Sequence, residues 1–262
     1  MKGRTKSLFA YRGFILGSVR REFQARYRNS LLGFVWNLLT PLATIIIYVV
    51  IFAHIMKARL AGVDDELAYG IYICSGVVTW GLFSEIITRS QNIFIENANM
   101  LKKLSFPRAC LPIIVVSSCA LNFMIVLAVF LLFLLFYGNF PGLSLAALIP
   151  LLIIQVILAA GLGLALGVIN VFFRDAAPFS TMILQFWFWF TPIVYPLSIL
   201  PDQVKQLVLL NPMTPLVAVY QSIFVYNRFP DWSTLISPLI VSIVVSVFAL
   251  HLYRKRSDEL VD

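Results

Sequence analysis

Histidine and cysteine are the side chains with which acid–base, nucleophilic or metal chemistry would begin in this sequence. The two histidines, His54 and His251, stand alone in the first and the last apolar segments. The three cysteines, Cys74, Cys110 and Cys119, lack metal-ligand spacing, and two of them lie in or beside apolar runs, where cysteine packs as a small hydrophobe. No GxSxG or HExxH pattern occurs. These residues therefore predict neither a catalytic site nor a metal site.

Phosphate chemistry has one superficial candidate, the glycine-rich stretch GLGLALG at residues 161–167. It lacks the Lys-Ser/Thr pair that reaches phosphate and Mg²⁺ in a nucleotide-binding loop, and GxxxxGK[ST] occurs nowhere in the chain. Within an apolar run, Gly161, Gly163 and Gly167 indicate close packing between helices instead. The chain is therefore predicted to hold no ATP in a phosphate loop of its own.

Ion-coupled transport would need ionisable side chains in the middle of an apolar run, because a proton or sodium relay requires them despite their cost. Glu85 is the only acidic residue inside such a run, and it lies one helical turn before Arg89. A local ion pair close to the membrane surface explains that placement. If the protein moves a substrate, the energy is expected to come from elsewhere.

The aromatic stretch QFWFWFTPIVYP, residues 185–196, carries the remaining candidate chemistry. Its aromatic residues are Phe186, Trp187, Phe188, Trp189, Phe190 and Tyr195. Aromatic faces stack on the apolar C–H side of sugar rings, which makes the stretch a candidate lining for a sugar channel. The alternative is an aromatic belt at a membrane interface. Pro192 and Pro196 are expected to break the helix near its outer end.

Six apolar runs position these residues, over residues 31–56, 67–88, 111–137, 145–173, 179–197 and 234–253. A helix needs about 20 apolar residues to cross a hydrocarbon layer about 30 Å thick. The chain is also 60% hydrophobic and only 12% charged. The sequence therefore predicts an all-α, polytopic membrane protein with six transmembrane helices, built as one domain over residues 1–262.

Positive charge predicts the orientation. Of the 20 lysine and arginine residues, eight precede the first run, four lie between the second and third, one lies between the fourth and fifth, and three follow the sixth. The positive-inside rule places these segments, and both termini, in the cytoplasm. The net charge of +8 is explained by this anchoring, so no nucleic acid partner is expected.

Two segments outside the six runs are predicted to be helical. Residues 1–30 contain an apolar stripe at helical spacing with arginines largely off it, which indicates an amphipathic helix at the inner membrane interface. Residues 198–233 hold two apolar pieces too short to cross, which favours a re-entrant periplasmic helical hairpin between the fifth and sixth helices. The alternative for the hairpin is a pair of helices lying on the outer surface.

Four segments together resemble the membrane subunit of type-2 ABC exporters, in the branch that exports O-antigen and other lipid-linked polysaccharides. They are REFQARYRNSLLGFVWNLLTPL (residues 21–42), IENANMLKKLSFPRACLP (95–112), NVFFRDA (170–176) and LNPMTPLVAVYQSIF (210–224). They occur in the family's order and extend over nearly the whole chain. The last segment departs from the family pattern, since an arginine usually follows the tyrosine and this chain has Gln221.

The resemblance implies that the second cytoplasmic loop forms a coupling helix in a groove of a separate ATPase subunit. That helix would cover residues 95–104, and its residues are Ile95, Glu96, Ala98, Leu101, Lys102, Lys103 and Leu104. The apolar members recur every three residues and suit a hydrophobic groove. The two lysines suit the negative end of the helix dipole.

The resemblance also implies a homodimer of this chain with two ATPase subunits, which would bind the ATP and Mg²⁺. The cargo would be an undecaprenyl-pyrophosphate-linked polysaccharide crossing the bacterial inner membrane, and the residues 198–233 would gate its exit. Arginine forks match phosphate oxygens, so the candidates for the pyrophosphate are Arg20, Arg21, Arg26, Arg28 and Arg174. The alternative role for each arginine is anchoring the topology.

Other functions compatible with the sequence are export of teichoic acid, capsule or a smaller molecule by the same class of permease. A membrane enzyme acting on lipid-linked sugars is disfavoured because no catalytic group is present in the sequence. A secondary transporter is disfavoured by the lack of mid-span ionisable residues.

Overall fold

The computed structural model describes residues 10–27, 35–55, 60, 65–103 and 107–256. Within these residues every regular element is helical, which confirms the predicted all-α class. The main helices, numbered in chain order, are α1 (Arg12–Tyr27), α2 (Val35–Val49, extended by a π-helical stretch at Val50–Ile55), α3 (Ala68–Ser90), α4 (Ile93–Glu96), α5 (Ala98–Lys103), α6 (Cys110–Phe136), α7 (Leu148–Phe172), α8 (Ala176–Phe190), α9 (Asp202–Leu209), α10 (Met213–Tyr226) and α11 (Ile236–Arg256).

Four of the described helices are long and apolar enough to cross a membrane. They are α3, α6, α7 with its leading 3-10 turn (Gly142–Phe172) and α11 with its leading turn (Trp232–Arg256). They correspond to the predicted second, third, fourth and sixth spans. The predicted first span contains the shorter apolar helix Leu38–Phe52, and the predicted fifth is the 15-residue α8. The total of six spans therefore stays a prediction.

The predicted hairpin region contains α9 and α10, which meet at a bend of 97°. The break falls at the Asn-Pro pair Asn211–Pro212, where proline removes a backbone donor and restricts the residue before it. Neither arm, of 8 and 14 residues, is long enough to cross a bilayer alone. Taken as one bent element, the pair would be a fifth candidate span; its re-entrant placement stays a prediction.

Helix α3 lies at the centre of the bundle. In its apolar window 72% of the residues are buried, compared with 22% in α11. Helices α2, α6, α7 and α10 pack around it, and α11 lies along α7. The side chains of Phe83 and Ile86 on α3, Phe130 on α6 and Phe224 on α10 are fully buried. α3 is thus the element against which the others are positioned.

Glycines on α7 let this helix approach α3 closely, as the sequence predicts. A Cβ added at Gly163 would lie 2.6 Å from the Cβ of Ser90, and one at Gly167 would lie 2.6 Å from the Ser90 carbonyl oxygen. Gly161 meets α11 in the same way, 2.8 Å from the hydroxyl of Ser246. Any side chain at these positions would push the helices apart.

The segment predicted as one helix over residues 95–104 differs in the structure. It forms two short helices, α4 and α5, that are interrupted at Asn97. The Asn97 side-chain amide donates to the Ile93 carbonyl over 2.9 Å, and asparagine commonly competes with the backbone in this way. The apolar spacing of the segment gave no sign of this break.

Helix α1 confirms a helix within residues 1–30 and packs against α6. Its side chains follow the predicted stripe: Val19 is buried, Ile15 and Phe23 are half-buried, and Arg12 and Arg20 are exposed. The stripe therefore contacts protein along at least part of its length, and its membrane placement stays a prediction.

Candidate functional site

The aromatic residues of α8 divide between two faces of the helix. Trp187 and Phe188 face α3: the Trp187 ring lies edge-on to Phe83 at 5.3 Å between centroids, and Phe188 lies edge-on to Trp80 at 5.8 Å. Phe186, Trp189 and Phe190 are exposed. The predicted cluster is therefore part core packing and part surface.

An open groove of about 390 Å³ runs beside this helix, between α3 and α8. Its lining residues are Trp80, Ser84, Thr88, Thr181, Leu184, Gln185, Phe188 and Trp189. Ring faces beside hydroxyl and amide groups offer stacking surfaces together with hydrogen-bond donors and acceptors. This combination can bind a carbohydrate, which presents C–H faces and hydroxyl groups to its protein.

The chain unwinds after α8, and polar side chains of α3 and α10 bind the released carbonyl groups. The Tyr72 hydroxyl lies 3.2 Å from the Pro192 carbonyl and 3.1 Å from that of Tyr195. Tyr69 donates to the Val194 carbonyl over 3.0 Å. Backbone groups inside a membrane bundle need such partners because no water is available there.

Gln221, where the resembling family usually has arginine, belongs to the same set of contacts. Its side-chain nitrogen donates to the Pro192 carbonyl over 3.0 Å, and the residue is buried. A neutral amide satisfies this carbonyl without placing a charge in the apolar interior, which would be costly.

Asn211, at the bend between α9 and α10, binds the aromatic helix directly. Its side-chain oxygen accepts from the Trp187 indole over 2.8 Å and from the Met213 backbone over 3.0 Å, while its nitrogen donates to the Thr191 hydroxyl over 2.9 Å. The buried amide of Asn211 therefore attaches the hairpin to α8.

At the opposite end of the bundle, a cavity of about 590 Å³ lies between α1, α3, α6 and the α4–α5 segment. Its polar lining residues are Ser18, Arg21, Glu22, Thr88, Arg89, Asn92, Glu96 and Asn97. Its apolar lining consists of Ile93, Met100, Leu111, Ile114 and Val115. The cavity therefore offers both charged groups and an apolar floor.

A charged network closes one side of this cavity. Arg89 pairs with Glu22 of α1, and its other nitrogen lies 3.8 Å from Glu85, which confirms the predicted Glu85–Arg89 pair. Ser118 of α6 donates to Glu22 over 2.8 Å, and Asn122 of α6 donates to Glu85 over 2.8 Å. The network ties α1 to the membrane helices α3 and α6.

Of the three predicted arginines whose side chains are described, one lines the cavity. Arg21 lines it and donates to the Ser18 hydroxyl over 3.0 Å. Arg20 is exposed on α1, and Arg174 is exposed between α7 and α8. The side chain of Arg26 and the whole of Arg28 lie outside the described residues.

Three of the four predicted coupling residues whose side chains are described are exposed. Ile95, Glu96 and Lys102 are exposed, and Ala98 is half-buried. The side chains of Leu101 and Lys103, and all of Leu104, lie outside the described residues. Exposure of Ile95 leaves an isoleucine free to contact a partner.

The sequence did not predict several residues that hold α8 and the chain after it in place, chief among them Tyr69, Tyr72, Thr191 and Asn211. The sequence does contain two relevant signals. The prolines that break α8 release carbonyls that need donors, and the Asn-Pro pair before α10 is typical of a turn whose asparagine binds backbone two residues on. Neither signal identifies the partner helix.

Comparison with known proteins shows what the chain is similar to. The sequence profile described as "ABC-2 type transporter" matches residues 15–225. The O-antigen export system permease protein RfbA of Myxococcus xanthus is 32% identical over 259 residues, covering 98% of this chain and 97% of that protein. A Klebsiella pneumoniae protein of that name is 29% identical, covering 90% of this chain and 88% of that protein. The polysialic acid transport protein KpsM of Escherichia coli is 23% identical, covering 92% of both.

Proposed function

This chain belongs to the ABC-2 type transporter family, and we propose that it is the permease of an ATP-driven exporter of lipid-linked polysaccharide. The main support for this proposal is the similarity to an O-antigen export permease, at 32% identity over 98% of the chain. The cargo is an undecaprenyl-pyrophosphate-linked glycan such as O-antigen. The membrane is the bacterial inner membrane, with both termini in the cytoplasm.

The glycan passes along the exposed faces of α2 and α8. Trp36, Leu39 and Ile46 on α2 are exposed, as are Phe186 and Trp189 on α8. Two copies of the chain in a homodimer would face each other across these surfaces and enclose a channel. The groove beside Trp189 supplies stacking faces for sugars, with Ser84 and Gln185 as hydrogen-bonding groups.

The pyrophosphate end of the cargo meets the cytoplasmic face near the cavity between α1 and the α4–α5 segment. Arg21 and Arg89 both line this cavity. Arg89 is paired with Glu22, so Arg21 is the candidate whose guanidinium fork would match phosphate oxygens. Arg20, exposed in the middle of α1, and Arg174, exposed between α7 and α8, can approach a lipid headgroup from the solvent side. Arg26 and Arg28 stay candidates of the same chemistry.

Energy comes from a separate ATPase subunit, present in two copies, which holds the ATP and Mg²⁺. The contact surface is α4 with α5, where Ile95 supplies an exposed apolar side chain and Lys102 an exposed cation. Leu101, Lys103 and Leu104 complete the predicted surface. Movement of this segment on ATP binding opens the channel, and the α9–α10 hairpin gates the periplasmic exit.

Reconstitution tests this function. The purified chain in phospholipid vesicles, with and without its ATPase subunit, is supplied with lipid-linked polysaccharide on one face. We expect transfer to the other leaflet only when both the ATPase and ATP are present. Transfer by the chain alone would contradict the proposal and favour a secondary transporter or an enzyme.

Capsule export is the second candidate, because the polysialic acid transport protein of Escherichia coli is similar over 92% of both chains. Export of teichoic acid by the same class of permease is a related alternative. Supplying each lipid-linked polymer to the same vesicles separates the three, since the true cargo alone would stimulate ATP hydrolysis.

A further inference from the structure

A buried cluster of amides and hydroxyls joins three helices next to the α4–α5 segment. This cluster, the polar junction, consists of Gln91, Asn92, Asn170, Ser180 and Thr181. Gln91 and Asn92 directly follow α3 and precede α4, Asn170 is in the last turn of α7, and Ser180 and Thr181 are near the start of α8. Gln91, Asn170 and Ser180 are each buried.

The Gln91 side chain connects α3 to α8 with both of its polar atoms. Its oxygen accepts a hydrogen bond from the Ser180 hydroxyl, and its nitrogen donates to the Thr181 hydroxyl over 3.3 Å. Both hydroxyls also lie within 3.0 Å of the Ala177 carbonyl in their own helix. They therefore keep a partner when Gln91 is removed.

Asn170 adds α7 to the polar junction. Its nitrogen donates to the Gln91 carbonyl over 2.8 Å and to the Asn92 side chain over 3.1 Å. Its oxygen accepts from the Ala177 backbone over 3.3 Å, in the first turn of α8. One asparagine thus links the end of α3, the end of α7 and the beginning of α8.

Apart from the polar junction, the contacts that hold α3, α7 and α8 together differ. α3 and α7 are in close contact at this end, where Gly163 and Gly167 lie against Ser90. In α8, Ser180 and Leu184 are the buried residues. Hydrogen bonds at the polar junction, more than close packing, therefore fix the start of α8, which is the helix that carries the aromatic groove.

We propose that Gln91 is a positioning residue that transmits movement of the α4–α5 segment to α8 through Ser180 and Thr181. A shift of α4 displaces Gln91, two residues before it, and the paired hydroxyls carry that displacement into α8. The inference rests on the proposed function, in which α4–α5 contacts the ATPase and α8 lines the sugar path.

The test compares Gln91→Leu with Gln155→Leu. Both glutamines are buried and both bond across helices, but the Gln155 side chain donates to the Thr79 carbonyl over 2.7 Å, a bond that links α7 to α3 and not to α8. In vesicles containing the chain and its ATPase, we expect Gln91→Leu to hydrolyse ATP while exporting roughly five- to tenfold less polysaccharide per ATP, within the usual range of coupling effects. Gln155→Leu should keep the wild-type ratio.

A conformational readout separates coupling from simple loss of stability. Ile183 is exposed on α8 and precedes the aromatic stretch, and the three native cysteines are buried, so Ile183→Cys introduces an accessible thiol. Its maleimide labelling rate should change on ATP binding in the otherwise wild-type complex and in Gln155→Leu. It should stay constant in Gln91→Leu. An ATP-dependent change of wild-type size in Gln91→Leu would overturn the inference.

If the Gln91→Leu protein does not accumulate in the membrane, a pair of less disruptive serine substitutions can be compared instead. Ser180→Ala removes the donor to Gln91, whereas Ser242→Ala removes another buried hydroxyl that bonds within its own helix, to the Leu239 carbonyl over 2.7 Å. Only Ser180→Ala should lower export per ATP. If the otherwise wild-type complex neither exports nor responds to ATP, the proposed function itself fails; coupling retained in Ser180→Ala refutes the inference alone.

Discussion

At the scale of single residues, Trp187 and Trp189 of α8 have different structural environments. Trp187 packs on Phe83 and donates to Asn211, while Trp189 lines the open groove and is exposed. The sequence pattern grouped them because both belong to one aromatic run. Only the packing around α3 shows which ring is structural and which is available to a ligand.

Trp189→Ala should lower polysaccharide export without lowering thermal stability, because it removes a stacking face from the groove and leaves the core intact. Trp232→Ala is the matched control, since Trp232 is also exposed but lies in the turn before α11. Export assays and melting curves of the detergent-solubilised complex measure both properties. Equal export by the two variants would remove Trp189 from the sugar path.

Trp187→Ala should instead destabilise the protein, by about 3 kcal/mol, the lower end of the range for core aromatic truncations, because Trp187 is half-buried. The Asn211 amide would also lose its indole donor. Thermal unfolding, followed by intrinsic fluorescence or by aggregation, measures the loss of stability. A variant that melts like the wild type but fails to export would show that Trp187 contacts cargo.

At the scale of elements, the contact between α3 and α7 explains why glycine is required in α7. An alanine at Gly167 would place its Cβ 2.6 Å from the Ser90 carbonyl, which is backbone and cannot rotate away. We expect Gly167→Ala to cost about 1–3 kcal/mol, the usual range for overpacking. Gly81→Ala is the control, because nothing lies within 4 Å of its added Cβ; equal melting temperatures would contradict the close contact.

The α4–α5 segment offers a second test at this scale. Ile95→Asp places a charge on its exposed surface and should weaken binding of the ATPase, because an unpaired charge buried in an apolar groove is costly. Leu101→Asp is predicted to act in the same way. Phe229→Asp is the control, since Phe229 is exposed in the loop after α10. Co-purification of the ATPase with Phe229→Asp but not with Ile95→Asp is expected.

The elements were predictable to the extent that their signals are local. Long apolar runs predicted α3, α6, α7 and α11, since length and hydropathy alone decide whether a helix can cross a membrane. The spacing of Ile95, Ala98 and Leu101 predicted helix but missed the break at Asn97, whose side chain binds Ile93. Asparagine's competition with the backbone was the available signal.

At the scale of the whole molecule, the long-range pairings could not be predicted. Ser180 and Gln91 are 89 positions apart, and Asn170 is 79 positions from Gln91. Such pairs depend on how three helices pack together. The spacing of apolar residues within each helix carries no information about that packing. The family resemblance predicted the class of protein, while the contacts that link its two ends come from the structure.

The two ends of the bundle carry the two halves of the proposed mechanism. One end has the Arg21 cavity and the exposed α4–α5 segment, and the other has the hairpin attached by Asn211. The closely packed helices α3 and α7 and the aromatic helix α8 connect them. A transporter powered from one side needs this arrangement, since the force applied at one end must open the other.

The most direct measurement locates lipid-linked polysaccharide in cells that lack this gene, by surface labelling of intact cells and of inverted membrane vesicles. Loss of glycan from the surface with accumulation on the cytoplasmic leaflet is expected, and a plasmid copy of the gene should restore export. Unchanged surface glycan in the deleted cells would contradict a role for this chain in polysaccharide export.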